Sequence, residues 1–426
     1  MGNLEFLEEH RSLSRRYFLQ KSIAGFSVLP ASARMFDASL LDEGQANAKP
    51  AKPKVDKAGA QPHPYFTAAN EFRDVSRGKP LPHSLSEEKR REVGLTRDTW
   101  SLEVIADPEH PAKLGKEFTK AHGTALDFAT LLKLTDNNRV RFAKVMTCLN
   151  LGCPLGMGLW EGVPLSDIVW MTKPTADLRR VFYYGYHNDD PNQMFRSSLP
   201  MSRVLESPGN LPPVILCTKL NGEWLDAERG GPVRVVVPEA YGFKSIKWLT
   251  HLVLTNLATA NDTYAEQNND VDSPLKTFAA TLLIPLEVKS GEAIPVSGYA
   301  QVGVSGLAKV QVSIEPVDMP HEDDPYFLAA PWRDAEILPA PTDWGSLSEG
   351  KIPSGTRGFT VDGKPNAWPM RLTNAHWAVV MPSLTPGKYV FRCRTIDENG
   401  QPQPMPRPFR KSGHAAIEST TINITE

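Results

Sequence analysis

Two kinds of hydrophobic pattern divide the chain. Up to about residue 265, strand-like and helix-like stretches alternate. Trp100-Ser-Leu-Glu-Val-Ile105 switches between apolar and polar positions as a strand does, while the apolar residues of Leu126–Leu134 recur at helical spacing. Pro232–Pro238 is a run of valines closed by prolines and predicts a buried strand; Trp248–Leu254 predicts another. From about residue 275 nearly everything reads as strand. Val310, Val312 and Ile314 alternate with Gln311 and Ser313, and Tyr389, Phe391 and Cys393 with Val390, Arg392 and Arg394. Turn sequences at Thr385–Lys388 and Asp397–Gly400 punctuate these runs, the pattern of a β-sandwich. A Pro- and Gly-rich insertion at 317–370 interrupts it. The expected class is α+β: a mixed domain over 63–271, then a sandwich over 272–426, with Asn268–Asp272 at the junction.

The N-terminus reads as an address. Ser14-Arg-Arg-Tyr-Phe-Leu-Gln-Lys21 precedes a short apolar stretch, Ser22–Leu29, and the small residues Ala31-Ser-Ala33. Paired arginines, a short apolar region and a small-residue cleavage site are the parts of a signal peptide, here of twin-arginine type. The expectation is export, folded, to the periplasm, with residues 1–48 forming the signal and the start of a linker. Cleavage after Ala33 or after Ala48 fits. Residues 49–62, rich in Ala, Lys and Pro, complete a solvated linker.

Composition narrows the classes further. Hydrophobic residues make up 41% and charged residues 23%, an ordinary globular balance. The net charge of -2 gives no basic footprint for nucleic acid. No apolar run reaches the roughly 18 residues that span a bilayer. With 37 prolines and 30 glycines, many short strands joined by turns are expected rather than a helical bundle. The four cysteines, Cys148, Cys153, Cys217 and Cys393, form no haem-attachment motif and no zinc spacing, so no haem is expected in this chain. A Cys153–Cys217 bridge is left open.

Several stretches, in order, resemble the sulfite oxidase family of molybdenum enzymes. They are Val145-Met-Thr-Cys148; Trp160-Glu-Gly-Val-Pro-Leu-Ser-Asp-Ile168; Ser198–Leu205; and Gly231-Pro-Val-Arg-Val-Val-Val-Pro238 running to Tyr241–Trp248. The late strands add Lys309–Ile314, Trp377 and Arg394-Thr-Ile-Asp397. The resemblance covers about 65–420. It implies a molybdenum–molybdopterin cofactor, an Ig-like C-terminal sandwich and a homodimer. In such proteins one cysteine thiolate binds the metal, a soft ligand for a metal already held by sulfur. Cys148 stands at that position and is preferred over Cys153. Arg234 matches a cofactor-contacting arginine, Ser245-Ile246-Lys247 the segment at the pterin phosphate, and Arg229 a pterin contact. His187, and Asn70 with Glu71, stand near further cofactor loops. Cations suit a buried phosphate, Arg as a planar fork and Lys as a point charge.

The same resemblance exposes gaps. Relatives that oxidise sulfite carry an arginine after the cysteine, another in an N-terminal segment, and a tyrosine before the domain junction. Here Leu149–Pro154 and Thr67–Glu71 contain no basic residue, and Asp270-Val271 occupy the tyrosine's place, with Tyr264 nearest. A site without cations would leave a desolvated dianion unpaired, so a neutral sulfoxide fits better than sulfite. The expectation is oxygen-atom transfer to or from a small sulfur compound, with electrons passing to or from a separate c-type cytochrome or membrane quinone protein. The alternative is an exported, non-catalytic structural or interaction protein that kept the fold and lost the pocket.

Overall fold

Which faces the strands bury sets the layers. In the computed structural model, residues 64–426 are described, apart from 210, 273, 322–323, 325, 404–410 and 414. The expected signal peptide and linker lie outside the described residues. Strands of the first part are β1 (Ser101–Ala106), β2 (Leu126–Asp127), β3 (Val140–Cys148), β4 (Cys153–Pro164), β5 (Arg180–Gly185), β6 (Ser197–Pro200), β7 (Ile215–Leu220), β8 (Glu223–Trp224), β9 (Arg234–Val236) and β10 (Leu249–Thr255). They make two five-stranded sheets, one ordered β2-β1-β10-β5-β6, the other β3-β4-β7-β8 with β9 also against β7.

Between these sheets lies an apolar core that includes Leu102, Val104, Val163, Ile168, Val181, Leu216, Val235 and Leu252. The Trp100–Ile105 alternation appears as β1, with Leu102 and Val104 buried. The helical spacing after Leu126 appears as α2 (Phe128–Asn138), preceded in the chain by α1 (Glu87–Glu92). The Asp127 side chain caps α2 by accepting from Thr130 N at 2.8 Å, which satisfies one of the free N–H groups of its first turn. Short helices α3 (Leu165–Met171) and α4 (Met201–Leu205) follow, and α5 (Thr263–Glu266) precedes the second half.

Strands β11 (Phe278–Leu283), β12 (Glu287–Lys289), β13 (Ile294–Gln301), β14 (Lys309–Pro316), β15 (Arg333–Ile337), β16 (Asn374–Met381), β17 (Gly387–Ile396) and β18 (Glu418–Thr425) form an eight-stranded path, β11-β13-β16-β15-β14-β17-β18-β12. The path folds over on itself, so that Val296, Val310, Val312, Trp377, Phe391 and Ile422 share one core. This is the sandwich the alternation predicts, with two departures.

The stretch 317–370 does not simply interrupt the sheet. It supplies β15, and its Trp344, Ile352 and Phe359 pack with Val145 and Leu149 of the first part. The strict alternation also breaks. Glu315, Arg392 and Arg394 are buried although the pattern places the arginines outside. Arg392 pairs with Glu315 at 3.0 Å and lies over Phe327 at 4.3 Å, and Arg394 lies over Trp332 at 4.1 Å. A segment of the insertion therefore covers the outer face of β17, which cations can line because aromatic rings attract them.

Candidate cofactor site

The site grows from the β3–β4 hairpin. β3 is buried almost throughout, and Cys148 at its end is half-buried among Phe72, Met146 and Trp160. The chain turns over Leu149–Gly152 and returns with Cys153 directly opposite Cys148. Cys217 sits elsewhere. It lies opposite Gly162, nine residues along β4, roughly 30 Å from Cys153 at about 3.3 Å per residue. The Cys153–Cys217 bridge is therefore excluded, and all four cysteines are free.

A segment just after the expected N-terminal loop ties the hairpin to the cations. Phe72 meets Trp160 edge-on at 6.0 Å and presses on Gly156, where a Cβ would come within 2.5 Å of the ring. Arg73 Nη1 donates to Cys153 Sγ at 3.6 Å. Burial pushes the Cys153 thiol up from its ordinary value, against the pull of Arg73. Asp74 Oδ1 accepts from Lys247 Nζ at 2.8 Å, and Ser76 Oγ accepts from the same ammonium at 2.6 Å.

The cation end lies on β9 and the turn before β10. Arg234 is buried, donates to the carbonyls of Arg229 (2.8 Å) and Ser245 (2.6 Å), and lies over the Trp160 ring at 5.3 Å. Burial lowers its pKa to about 10, helped by Arg229 nearby. Arg229 is buried too, over Phe72 at 5.8 Å and paired with Glu228. Lys247 adds a bond to the Glu228 carbonyl at 2.6 Å, and burial lowers its pKa to about 8. Ser245 and Ile246 serve as frame: Ser245 Oγ accepts from Val237 N at 3.2 Å, and Ile246 is packed in the core.

Around Cys148 stand Tyr264, which the sequence offers as the nearest tyrosine, and groups that the sequence alone does not single out. Tyr264, on α5, is buried and stacked on Phe243 at 4.2 Å. Its hydroxyl donates to Asn150 Oδ1 at 3.4 Å, two residues past Cys148. Burial pushes the phenol up to about 12; Arg77 opposes the shift and the Cys148 thiol adds to it. Arg77 lies over Phe195 at 4.6 Å. Among the described residues neither Arg73 nor Arg77 has a carboxylate partner. The cation-free picture of this end is thus corrected: the basic residues come from positions 73 and 77, a few residues past the stretch where the family pattern places one.

The remaining expected residues lie further out. His187 meets Tyr184 edge-on at 6.0 Å, on the face that carries His251. Its neighbour Asn188 reaches the N-terminal segment, donating to the Pro80 carbonyl at 2.8 Å. Asn70 and Glu71 are exposed in a short 3-10 turn, and Glu71 lines a cleft of about 260 Å³ with Cys153, Tyr65, Tyr299, Asn374 and His376.

The residues fit a molybdopterin cofactor. Two buried arginines, Arg229 and Arg234, and the half-buried Lys247 gather where Asp74 and Glu228 are the carboxylates in contact. Arg229 Nε and Arg234 Nε are buried without a hydrogen-bond partner among the described residues. Buried donors without acceptors are costly, and a phosphate and pterin would satisfy them. Cys148 offers the soft thiolate at the other end.

Comparisons with known proteins agree. Residues 91–263 match the model of the oxidoreductase molybdopterin binding domain. The chain is 29% identical over 137 residues to mitochondrial sulfite oxidase of Drosophila melanogaster, covering 31% of this chain and 23% of that protein. It is 32% identical over 103 residues to a nitrate reductase [NADPH] of Pichia angusta, covering 24% and 12%. The chain thus aligns with less than a quarter of the length of these relatives. In fold it is similar to the sulfane dehydrogenase SoxCD from Paracoccus pantotrophus, with TM-score 0.54 and 15% identity, covering 94% of this chain and 98% of that one. Residues 91–263 are thus an oxidoreductase molybdopterin binding domain, similar in sequence to part of sulfite oxidase and nitrate reductase, in a chain whose fold is similar to that of a sulfane dehydrogenase.

Proposed function

We propose that this protein transfers an oxygen atom to or from a small sulfur compound, and that the substrate is a sulfur oxyanion such as sulfite rather than a neutral sulfoxide. The observation that carries the choice is a pair of arginines without carboxylate partners among the described residues, Arg73 on Cys153 Sγ and Arg77 over Phe195 near Tyr264. A desolvated oxyanion needs such cations. When bound, the molybdenum cofactor supplies the oxygen-atom exchange and the two-electron change.

The chain does the rest. Cys148 ligates the metal. Arg229, Arg234 and Lys247 hold the pterin and its phosphate. Arg77 attracts and orients the anion. Tyr264, kept as a neutral phenol by burial, offers a hydrogen-bond donor close to Cys148. The reading of a decayed, non-catalytic protein loses its main support once Arg73, Arg77 and Tyr264 are counted.

The same reading includes export by the twin-arginine signal at Ser14–Lys21, a homodimer, and a separate c-type cytochrome or membrane quinone protein as electron partner. The test is turnover of sulfite and of a sulfoxide by the full chain purified with its cofactor. Sulfite turnover that weakens at high salt and falls in Arg77→Met supports the proposal. Sulfoxide turnover indifferent to Arg77 overturns it.

A further inference from the structure

Cys153 has no part in the chemistry above, yet its place is specific. It is the residue directly opposite Cys148 across the antiparallel hairpin. Directly opposed residues have Cα atoms about 4.5–5.5 Å apart and side chains on the same face. A disulfide needs Cα atoms roughly 4.4–6.8 Å apart and Cβ atoms about 3.5–4.5 Å apart. The backbone is therefore already in range, and closing the bond asks only for a small approach of the two Cβ atoms. The four-residue turn between them contains Gly152 at φ 61°, and its amide donates to the Cys148 carbonyl at 3.1 Å. Access is uneven. Cys153 lines the 260 Å³ cleft with Tyr65, Tyr299 and His376, whereas Cys148 packs toward Phe72 and Trp160. Cys217 and Cys393 are fully buried and are not competing partners.

We propose that Cys153 is a redox partner of Cys148, and that in the cofactor-free chain the two form a reversible cross-strand disulfide that withholds the metal's thiolate. The oxidant is a small-molecule disulfide. The Cys153 thiolate attacks one of its sulfurs through the cleft, forming a mixed disulfide and releasing one small thiol. The Cys148 thiolate then attacks Cys153 Sγ and releases the second. Two protein thiols are oxidised, one small disulfide is reduced to two thiols, and the two thiol protons pass to the leaving thiolates. A thiol reductant reverses both steps. Only the consequence for metal loading rests on Cys148 being the ligand; the cross-link itself does not.

The experiment treats the full, cofactor-free chain with 2-hydroxyethyl disulfide and follows intact mass, alkylation and the peptide that contains both cysteines. The expected result is a wild type that loses the mass of two hydrogens, keeps no adduct, and has a 148–153 peptide that takes an alkyl label only after reduction. Cys148→Ser is expected to trap one adduct on Cys153, because the resolving thiol is gone. A wild type with a stable adduct on Cys153 and a free Cys148, or with both thiols still alkylated, overturns the proposal. The wild-type peptide decides even if the variant does not fold. Molybdenum content of the cofactor-loaded protein separately tests whether Cys148 is the ligand.

Discussion

The two ends of the site solve opposite problems. At the cation end, Arg229 and Arg234 are held away from water and Lys247 is half-buried, with more positive charge than nearby carboxylates balance. Burial depresses the pKa of Arg234 and Lys247, so the charges are maintained at some expense to the empty fold. Such a site is built around an anion that does not leave. At the thiol end, the Tyr264 hydroxyl donates to Asn150, two residues past Cys148, and Arg77 lies on an aromatic face. A site of that kind can bind and release a small anion each turnover. The difference predicts which substitutions affect possession of the cofactor and which affect its use.

The largest effect is expected from Cys148→Ser. Removing the soft ligand should take molybdenum content to a small fraction of wild type and activity down by about a thousandfold or more. Metal analysis beside Cys153→Ser checks it; full loss in the Cys153 variant instead would reassign the ligand. Tyr264→Phe should be next. Metal content should hold, while kcat falls by about a hundredfold, the usual range for a lost positioned donor. A fall in KM alone would make the tyrosine structural.

A matched pair then separates the ends. Lys247→Met should lower cofactor content severalfold and leave KM of the loaded fraction unchanged. Arg77→Met should leave content unchanged and raise KM for an anionic substrate by about tenfold, consistent with loss of one charge-assisted contact. If both substitutions moved the same quantity, the division of the site into a permanent and an exchanging end would be wrong.

The two ends were also unequally legible. The cation end is one continuous stretch, Arg229 to Lys247, folded back by a turn, so the residues that act together are neighbours in sequence. The same holds for the core strands, whose periodicity reports burial directly. Partners of Cys148 come instead from segments around 73–77, 150 and 264, joined only by the fold. The family pattern looks for an N-terminal arginine within 67–71, whereas the arginines that stand near this end are Arg73, on Cys153, and Arg77, near Tyr264. Tyr264 was visible as the nearest tyrosine, but its approach depends on Phe243 stacking and on the Asp262 cap of α5, which accepts from Tyr264 N at 3.2 Å. His187 shows the reverse case: carried on a loop of turn-forming Asn and Asp, it meets Tyr184, while its neighbour Asn188 donates to the Pro80 carbonyl. The buried arginines of β17 were hidden because alternation says nothing about a segment far along the chain that covers the second face.

The smallest effect probes the excess charge of the cation end directly. Lys144 on β3 is fully buried, with Nζ donating to the carbonyls of Val145 at 3.1 Å and Ala240 at 2.8 Å. Burial lowers its pKa to about 7; Glu239 resists the shift and Arg234 adds to it. In the unfolded chain a lysine keeps its proton to about pH 10.4. Between these values the unfolded state binds more protons, so stability rises with pH; below about 7 both states are protonated and the slope vanishes. From pH 7.5 to 8.5 the gain should be about 1 kcal/mol for the cofactor-free protein, read as a shift in the urea midpoint. Taking the difference from Lys144→Met cancels cysteines and other groups that titrate nearby. Arg234→Met should move the onset of that rise to higher pH, because one repelling charge is gone. An onset that ignores Arg234 would mean that the guanidinium is screened from β3, and that the cation end is less crowded with positive charge than its burial suggests.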